Sequence, residues 1–295
     1  MTVRMHSRAL ASLARRAGRF LLAAVGVCLP GPLAAGESGM PPAPEVAQVE
    51  LLPGWRAENG RHIAGLRITL APGWKTYWRA PGDAGIPPRF DWSGSRNLTA
   101  VTFHWPTPQV IRQNGMTTIG YSKEVILPLE LTAAGPGPIA LRGELELGVC
   151  ESVCMPMSVR LSADLGPDAA PDPRIMAALA RQPVPGARAG VRAVHCAMEE
   201  IADGLRVTAR VDMPPLASDV AGAAGQQAGE VAVFELPDRA IWISEAAVRR
   251  EGATLVATAE MVPPAARPFP LDPGDLRITI FGSPGQAVDI NGCTG

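Results

Sequence analysis

Apolar and polar residues alternate along the chain in short runs that Gly and Pro interrupt. Alternation with a period of two residues is typical of half-buried β-strands. In the first half of the chain the alternating apolar positions are Leu66/Ile68/Leu70, Val101/Phe103/Trp105, Val125/Leu127/Leu129/Leu131 and Leu141/Leu145/Leu147/Val149. In the second half they are Leu205/Val207/Ala209/Val211, Val231/Val233, Ile241/Ile243, Leu255/Ala257/Ala259 and Leu276/Ile278/Ile280. Many short strands separated by turn residues predict an all-β fold built from β-sandwiches.

One helix is predicted between the two sets of strands. Asp172 and Pro173 precede a run of good helix formers that ends before Pro183. Asp is a favoured N-cap residue, and Pro is favoured in the first helical turn. We therefore predict two β-sandwich domains joined by a short helical linker. The predicted ranges are 36–168 for the first domain, 169–185 for the linker and 186–295 for the second domain.

The first 35 residues have the composition of an export signal. Five arginines precede an apolar stretch at residues 20–29, and Leu33-Ala34-Ala35 supplies small residues for cleavage before Gly36. No later run approaches the roughly 18 apolar residues that a membrane-spanning helix needs. We predict a signal peptide at residues 1–35 and an exported, soluble mature protein.

Two cysteines, Cys150 and Cys154, flank a three-residue turn, and their placement indicates a redox function. The strand before the turn places Cys150 in its solvent-facing phase. Val159 and Leu161 continue an alternating pattern beyond the turn, so we predict antiparallel strands on which the two sulfurs face each other. A disulfide in so small a loop stabilises by only about 2 kcal/mol. Exposed short bridges are typically exchangeable, but a structural disulfide and a metal-binding pair remain alternatives.

The remaining cysteines favour one disulfide pairing without excluding the others. Cys28 lies in the predicted signal, so the mature chain has four cysteines, which allow three pairings. We favour Cys150–Cys154 together with Cys196–Cys293, because the second bridge closes a loop of about a hundred residues and stabilises by roughly 4–5 kcal/mol. Cys196 precedes the first strand of the second domain and Cys293 follows its last strand. This bridge is therefore predicted to be structural.

Composition argues against several classes of function. The chain has 27 basic and 28 acidic side chains, a formal net charge of -1, and no basic stripe, so we expect no nucleic-acid partner. We find no Ser/His/Asp arrangement, no pair of carboxylates and no phosphate-binding loop in the sequence. Hydrolase and kinase functions therefore have no support, and no small-molecule cofactor is implied.

Sulfur ligands near the turn raise a copper-binding alternative. Four soft ligands lie within eight residues: Cys150, Cys154, Met155 and Met157. Thiolates and thioethers suit Cu(I), although methionines on a strand more often pack against the sandwich. Three histidines lack the spacing of metal ligands: His62, His104 and His195. We predict no metal site and keep copper binding as an alternative.

Several motifs occur in order along the first domain. They are Gly73-Trp-Lys-Thr-Tyr-Trp-Arg-Ala-Pro-Gly-Asp-Ala-Gly85, Phe103-His-Trp-Pro106, Gly120-Tyr121 and the Cys150–Cys154 turn followed by Met155-Pro156. In this order the motifs resemble the periplasmic N-terminal region of the DsbD family of thiol:disulfide interchange proteins. The resemblance favours the longer branch of that family, which includes the suppressor-of-copper-sensitivity B proteins. It covers essentially the whole mature chain and is strongest over residues 50–165.

The resemblance implies an immunoglobulin-like fold and the activity of a thiol:disulfide oxidoreductase. Cys150 and Cys154 correspond to the family's redox pair, and Cys154 is the one expected to form the mixed disulfide with a partner. The family also covers its redox pair with a cap loop and nearby aromatic residues. The segment Asn114–Thr118, which contains Met116, corresponds to the cap loop. Tyr121, just after this segment, and Tyr77 correspond to the aromatic residues.

The resemblance also implies the partners and the location of the protein. It predicts electron relay in the periplasm to thioredoxin-like periplasmic proteins. The family's multi-helix membrane domain and C-terminal thioredoxin domain have no counterpart in this sequence, so the electron donor is expected to be a separate membrane-embedded DsbD-type protein. Two alternatives stay open: a copper-binding or copper-tolerance protein, and a non-catalytic interaction module in which both disulfides are structural.

Overall fold

A computed structural model shows an almost entirely β-stranded chain, as the alternating pattern predicts. The structure describes residues 46–82, 85–113, 115–166, 169–217 and 229–293, so the predicted signal peptide lies outside the described residues. The strands of the first sandwich are β1 (Ala47–Arg56), β2 (His62–Leu70), β3 (Lys75–Gly82), β4 (Arg89–Asp91), β5 (Ala100–Phe103), β6 (Gln109–Gln113), β7 (Met116–Ser122), β8 (Glu124–Thr132), β9 (Ile139–Cys150) and β10 (Cys154–Leu165).

Two sheets form the first sandwich. One has the strand order β1-β2-β8-β5, and the other has the order β10-β9-β3-β7-β6 with β4 paired to β9. The neighbours within both sheets are antiparallel. Alternating apolar residues fill the space between the sheets, among them Leu66, Leu129, Leu141 and Leu145, each fully buried. This is an immunoglobulin-like β fold, as predicted.

The second sandwich also has two sheets. Its strands are β11 (Val184–Pro185), β12 (Ala193–Ile201), β13 (Gly204–Asp212), β14 (Val231–Glu235), β15 (Trp242–Ile243), β16 (Ala247–Glu251), β17 (Thr254–Val262), β18 (Arg277–Phe281) and β19 (Ala287–Asn291). One sheet has the order β11-β19-β18-β14, and the other has the order β12-β13-β17-β15 with β16 also paired to β17. The described residues contain no helix that is long and apolar enough to cross a membrane.

Between the sandwiches lies the helix α1 (Pro173–Leu179), which is capped as the sequence predicts. The side chain of Asp172 accepts a hydrogen bond from the backbone N–H of Arg174, and Pro173 is in the first turn. The helix is more than a linker, because Ile175 and Ala178 are fully buried in a small apolar cluster with the sheet residues Leu52, Ile63 and Ile126. A Cβ atom at Gly65 would lie 2.9 Å from Ile175 Cγ1, so the absence of a side chain there lets the helix approach β2 closely.

The two sandwiches share part of one apolar core. Val231, Phe281 and Ala287 lie on the outer face of the β14-β18-β19 sheet, and all three belong to the buried cluster of the first sandwich. The alternate residues of those strands, such as Ile278 and Ile280, lie in the core of the second sandwich. Because strand residues alternate between faces, one sheet contributes to both cores. Contacts join the described residues of both sandwiches into one compact unit.

Candidate redox site

A tight hairpin brings Cys150 and Cys154 together. β9 and β10 are antiparallel, and their register places Cys154 directly opposite Cys150. The two residues form a disulfide, with their Cα atoms 4.1 Å apart. Between them the turn residue Glu151 donates a backbone hydrogen bond to Val153 O at 3.3 Å. The pair is thus held at the end of a twelve-residue strand ladder, which fixes both backbones on either side of the sulfurs.

The two cysteines differ sharply in exposure. Cys150 is only 1% exposed, whereas Cys154 belongs to the exposed residues at the start of β10. The prediction that Cys150 is solvent-facing and reachable is therefore wrong. The reason is that β3 lies beside β9 in the sheet and carries Tyr77 on the same face as Cys150. The Tyr77 side chain covers the sulfur that alternation assigned to solvent. Of the two cysteines, Cys154 is therefore the one exposed to solvent.

Tyr77 from β3 covers the disulfide. Its hydroxyl donates a hydrogen bond to Cys150 Sγ at 2.8 Å, and the same oxygen lies 3.4 Å from Cys154 Sγ. The residue is 3% exposed. Burial raises the pKa of the Tyr77 hydroxyl above its ordinary value of 10.0, because desolvation disfavours the phenolate. Tyr77 therefore remains a neutral hydrogen-bond donor to Cys150 at neutral pH.

Close backbone packing holds β3 beside the cysteine strand. Thr76 Oγ1 donates to Gly148 O at 2.9 Å, which ties β3 to β9 two residues before Cys150. On the other side of β3, a Cβ atom at Gly120 of β7 would lie 2.2 Å from Thr76 O. Only a glycine permits this approach, so the Gly120 position in the Gly120-Tyr121 motif has a steric explanation.

The predicted cap corresponds to the tip of the β6-β7 hairpin. Asn114 lies outside the described residues, and Met116 is at the tip with 48% of its surface exposed. Lys75 Nζ donates a hydrogen bond to Gln113 Oε1 at 3.1 Å. Since Lys75 is the register partner of Cys150, this bond ties the tip of the hairpin to the strand that covers the disulfide.

Tyr121 does not face the disulfide, contrary to the sequence-based prediction. It pairs with Thr76, the neighbour of Tyr77 along β3, so it points to the opposite face of the sheet. There it is 6% exposed in the core of the first sandwich, and its hydroxyl donates to Pro106 O at 2.7 Å. Of the two tyrosines in the chain, only Tyr77 belongs to the site.

Exposed apolar residues occur near the exposed cysteine. Val153 and Met155 flank Cys154 and are 65% and 38% exposed. Ile86 is 37% exposed and packs over the neighbouring Gly148, where a Cβ atom would lie 2.6 Å from Ile86 Cβ. Ile86 therefore lies on the sheet face that carries the disulfide, whereas Met155 points to the opposite face. We define the apolar rim as Ile86 and Val153. Exposed apolar groups of this kind typically mark protein–protein contacts.

The charges beside the pair are balanced. Lys75 lies opposite Cys150 on β3, and Glu151 follows it in the turn. Hydrogen bonds from Ser152 lower the pKa of the Glu151 carboxyl, so Glu151 is ionised at neutral pH. A carboxylate next to a thiolate is unfavourable. The Tyr77 hydrogen bond is therefore the interaction in the site that favours a thiolate at Cys150.

Strand alternation separates the sulfurs proposed as copper ligands. Met155 and Met157 follow Cys154 by one and three residues on β10, so both point to the face opposite Cys154. Met157 packs against the core of the first sandwich. The described residues contain no cluster of three or more His, Cys, Asp or Glu side chains that would hold a metal ion.

The scattered histidines have structural contacts. His62 donates from Nε2 to Pro53 O at 2.6 Å, and burial lowers its pKa. His104 Nε2 lies 2.8 Å from Glu130 Oε2. His195 lies on β12 in the second sandwich, whereas His62 and His104 belong to the first.

A second disulfide joins Cys196 to Cys293, which are 97 residues apart in sequence and 5.8 Å apart at Cα. Cys196 lies on β12, and Cys293 follows β19, so the bridge connects the two sheets of the second sandwich. Both side chains are half-buried and pack against the core of the second sandwich. The pairing is the one favoured from the loop lengths.

Comparisons with known proteins agree with this geometry. Residues 48–165 match the family described as "Thiol:disulfide interchange protein DsbD, N-terminal". The chain is also similar in structure to the N-terminal periplasmic domain of ScsB from Proteus mirabilis, with a TM-score of 0.61 and 25% sequence identity. That similarity covers 87% of this chain and 96% of the other. No curated protein sequence matches the chain significantly.

Proposed function

We propose that this protein relays electrons through Cys150 and Cys154, because residues 48–165 match the family described as "Thiol:disulfide interchange protein DsbD, N-terminal". The proposed acceptors are thioredoxin-like periplasmic proteins, and the proposed donor is a separate membrane-embedded protein of the DsbD type. The observation that carries the proposal is the asymmetry of the disulfide, which combines an exposed Cys154 with a buried Cys150 under Tyr77.

Reduction of the disulfide begins at the exposed sulfur. A donor thiolate attacks Cys154 Sγ, a new sulfur–sulfur bond forms between donor and Cys154, and the Cys150–Cys154 bond breaks. The electron pair of the broken bond stays on Cys150 Sγ, which leaves as a thiolate. The Tyr77 hydroxyl is already 2.8 Å from that sulfur and strengthens its hydrogen bond as the negative charge develops.

Resolution of the mixed disulfide uses a second thiol of the donor. That thiolate attacks the donor sulfur bonded to Cys154, the donor becomes oxidised, and Cys154 is released as a thiolate. The reduced pair then acts in the forward direction, with Cys154 attacking the disulfide of an acceptor. Cys150 attacks the resulting mixed disulfide and restores the Cys150–Cys154 bond, leaving the acceptor reduced.

The apolar rim supplies the proposed contact surface for these partners. Val153 precedes Cys154 in the turn, and Ile86 packs over Gly148 on the sheet face of the disulfide; both side chains are exposed. A partner that covers them removes their apolar surface from water and places its own cysteine at Cys154. Thiol chemistry needs no cofactor, and the proposal includes none.

The proposed location is the periplasm. The predicted signal at residues 1–35 motivates this part of the proposal, and mass spectrometry of a periplasmic fraction tests it. The expected result is a mature chain that begins near Gly36. An uncleaved chain retained in the cytoplasm would contradict the proposed location. It would leave the proposed exchange at the cysteine pair unaffected.

Single-cysteine variants test the exchange mechanism. Cys150→Ala leaves the exposed Cys154 as the only thiol of the pair, so it is expected to trap a thioredoxin-like protein as a covalent complex. Cys154→Ala is the matched control, because it leaves the thiol that is only 1% exposed and is expected to trap much less. Trapping is measured by nonreducing electrophoresis and mass spectrometry.

Two outcomes would replace the proposal. If neither variant traps a partner and Cys150–Cys154 resists mild thiols as firmly as Cys196–Cys293, the protein is an interaction module with two structural disulfides. If the reduced protein instead binds Cu(I) tightly, and binding is lost in both single-cysteine variants, the copper alternative is correct.

A further inference from the structure

The chain directly after Tyr77 connects the redox site to the second sandwich. β3 pairs in regular register with β7 from Lys75 to Tyr77, and the register then shifts between Tyr77 and Gly82. In this irregular stretch, Trp78 is 0% exposed and the side chain of Arg79 is 6% exposed. Trp78 lies in the core of the first sandwich, where it meets Phe281 of the second, and Arg79 binds a carboxylate of the second sandwich. The residue that covers the disulfide is thus followed by two residues held by the other sandwich.

Carboxylates of the second sandwich bind Arg79 with defined geometry. Arg79 Nε and Nη2 donate to Glu235 Oε1 and Oε2 at 2.8 and 2.9 Å, and Nη2 lies 3.7 Å from Asp289 Oδ1. The guanidinium also lies 3.9 Å from the centre of the Trp78 ring. Trp78 in turn meets Phe281 edge-on at 5.5 Å. We call these five residues the seam.

The same stretch of chain packs over Tyr77 on its other side. A Cβ atom at Gly85 would lie 2.8 Å from Tyr77 Cδ1, so this backbone rests directly on the tyrosine ring. The next residue, Ile86, covers Gly148 on the cysteine strand. The β3 backbone therefore connects Arg79, which binds Glu235, to Tyr77, which lies on Cys150.

We propose that Arg79 is a positioning residue and that its ion pair with Glu235 holds the Tyr77 hydroxyl over Cys150, which sets the rate of disulfide exchange. The inference rests on the proposed function, since the step affected is the departure of Cys150 as a thiolate when a thiolate attacks Cys154. In this proposal the second sandwich contributes Glu235, which controls the geometry of the redox site.

The geometry of the ion pair explains why it can act in this way. A bidentate Arg–carboxylate pair fixes both the position and the orientation of the guanidinium. This pair is largely buried, with side-chain exposures of 6% and 16%, so water competes weakly for it. A hydrogen bond such as that from Tyr77 weakens steeply when its angle and distance change. A small displacement of β3 at Arg79 is therefore expected to weaken the hydrogen bond from Tyr77 to Cys150.

A double-mutant cycle tests the inference in the mature chain. The variants are Glu235→Gln, Tyr77→Phe and the double substitution, and the measurement is the rate constant for reduction of Cys150–Cys154 by dithiothreitol. We expect Glu235→Gln to slow reduction by about threefold or more, because part of a hydrogen bond to a charged sulfur is lost. In the Tyr77→Phe background the same substitution is expected to have no further effect, since the hydroxyl through which it acts is gone.

The control substitution changes the same residue type elsewhere in the second sandwich. Glu260→Gln removes the partner of Arg206, a pair at 2.9 Å on the other sheet whose side chains are both about two-fifths exposed. It is expected to leave the reduction rate unchanged. If Glu235→Gln fails to fold, Arg79→Lys replaces it in the cycle, because lysine keeps the charge and loses the bidentate geometry.

Two results would overturn the inference. One is a reduction rate in Glu235→Gln equal to that of Glu260→Gln. The other is a slowing of equal size with and without the Tyr77 hydroxyl, which would mean that the seam acts on overall stability alone. Both are measured with a small thiol, so they are independent of the partner trapping by Cys150→Ala that tests the proposed function.

Discussion

At the residue scale, the chemistry of the site depends on one hydroxyl. Tyr77 places a neutral donor 2.8 Å from the buried sulfur of the disulfide. A sulfur that leaves as a thiolate in a site with 1% exposure cannot rely on water to stabilise its charge. In the proposed exchange, the hydrogen bond from Tyr77 replaces that solvation, with Cys150 as the leaving group and Cys154 as the position of attack.

Removing this hydroxyl is predicted to slow the exchange. Tyr77→Phe should lower the rate constant for reduction of Cys150–Cys154 by roughly tenfold, since a hydrogen bond to a charged group contributes about 1.5 kcal/mol and about 1.4 kcal/mol corresponds to a tenfold change. The chain offers a matched control in Tyr121→Phe, which removes a hydroxyl bonded to Pro106 O in the core. That substitution should cost about 1 kcal/mol or more of stability and leave the rate unchanged. Equal rates for the two variants would contradict the role of Tyr77.

Both tyrosines are predicted to resist ionisation while the protein is folded. Desolvation raises the pKa of Tyr77 and raises that of Tyr121 well above 10.0. A raised pKa in the folded state means that the stabilisation is complete below the unfolded value of about 10 and is lost as pH rises above it. An ultraviolet titration should therefore detect less tyrosinate at pH 10 in folded protein than in denatured protein. Equal tyrosinate absorbance in the two states at pH 10 would refute the burial of these hydroxyls.

At the element scale, the site is assembled by strands distant in sequence. The β9-β10 hairpin supplies the cysteines, β3 supplies Tyr77, and the β6-β7 tip is tied to β3 through Lys75 and Gln113. The helix α1 lies on the other sheet of the first sandwich, through Leu52, Ile63 and Ile126. Helix packing and redox chemistry are therefore expected to be separable by mutation.

A pair of substitutions in α1 tests this separation. Ile175→Ala should lower the free energy of unfolding by about 2–5 kcal/mol, because a fully buried side chain is replaced by a cavity. The exchange rate at Cys150–Cys154 should not change. Met176→Ala is the control in the same helix, since Met176 is 47% exposed, and it should alter stability by less than about 0.5 kcal/mol. Urea unfolding measures both effects, and equal stabilities for the two variants would show that α1 is not docked.

At the scale of the whole molecule, the two sandwiches share a core and a charged seam. Phe281 and Val231 of the second sandwich belong to the buried cluster of the first. The Arg79–Glu235 pair joins the sandwiches next to that cluster. An exchange module with this architecture contains two disulfides with different tasks, one at the exposed hairpin and one that closes most of the second sandwich.

Removing each disulfide is predicted to give very different losses of stability. Replacing Cys196 and Cys293 together by Ala should lower the free energy of unfolding by about 4–5 kcal/mol, because the loop between them spans 97 positions. Replacing Cys150 and Cys154 together should lower it by about 2 kcal/mol or less, because their loop is very short. Chemical denaturation of both variants checks the order. A larger loss from the hairpin pair would make that pair the structural one.

Much of the fold follows from local pattern. Alternation in runs such as Leu141 to Val149 predicted the strands, and Asp172 with Pro173 predicted the start of the helix. The cysteine spacing predicted a hairpin with facing sulfurs, which the register of β9 and β10 confirms. These features depend on residues close together in sequence, because side-chain phase and capping are properties of one or two neighbouring elements.

Only the tertiary structure determined which residues at the ends of the strands are buried by residues distant in sequence. Alternation assigned Cys150 to solvent, but the side chain of Tyr77, 73 positions earlier in the chain, covers it. The resemblance assigned both Tyr77 and Tyr121 to the site. Tyr121 pairs with Thr76, the neighbour of Tyr77, so Tyr77 faces the disulfide and Tyr121 faces the core. The contact between Arg79 and Glu235 spans 156 positions. Phase within a strand is local, whereas burial and contact depend on which strands become neighbours, and only the folded chain sets that.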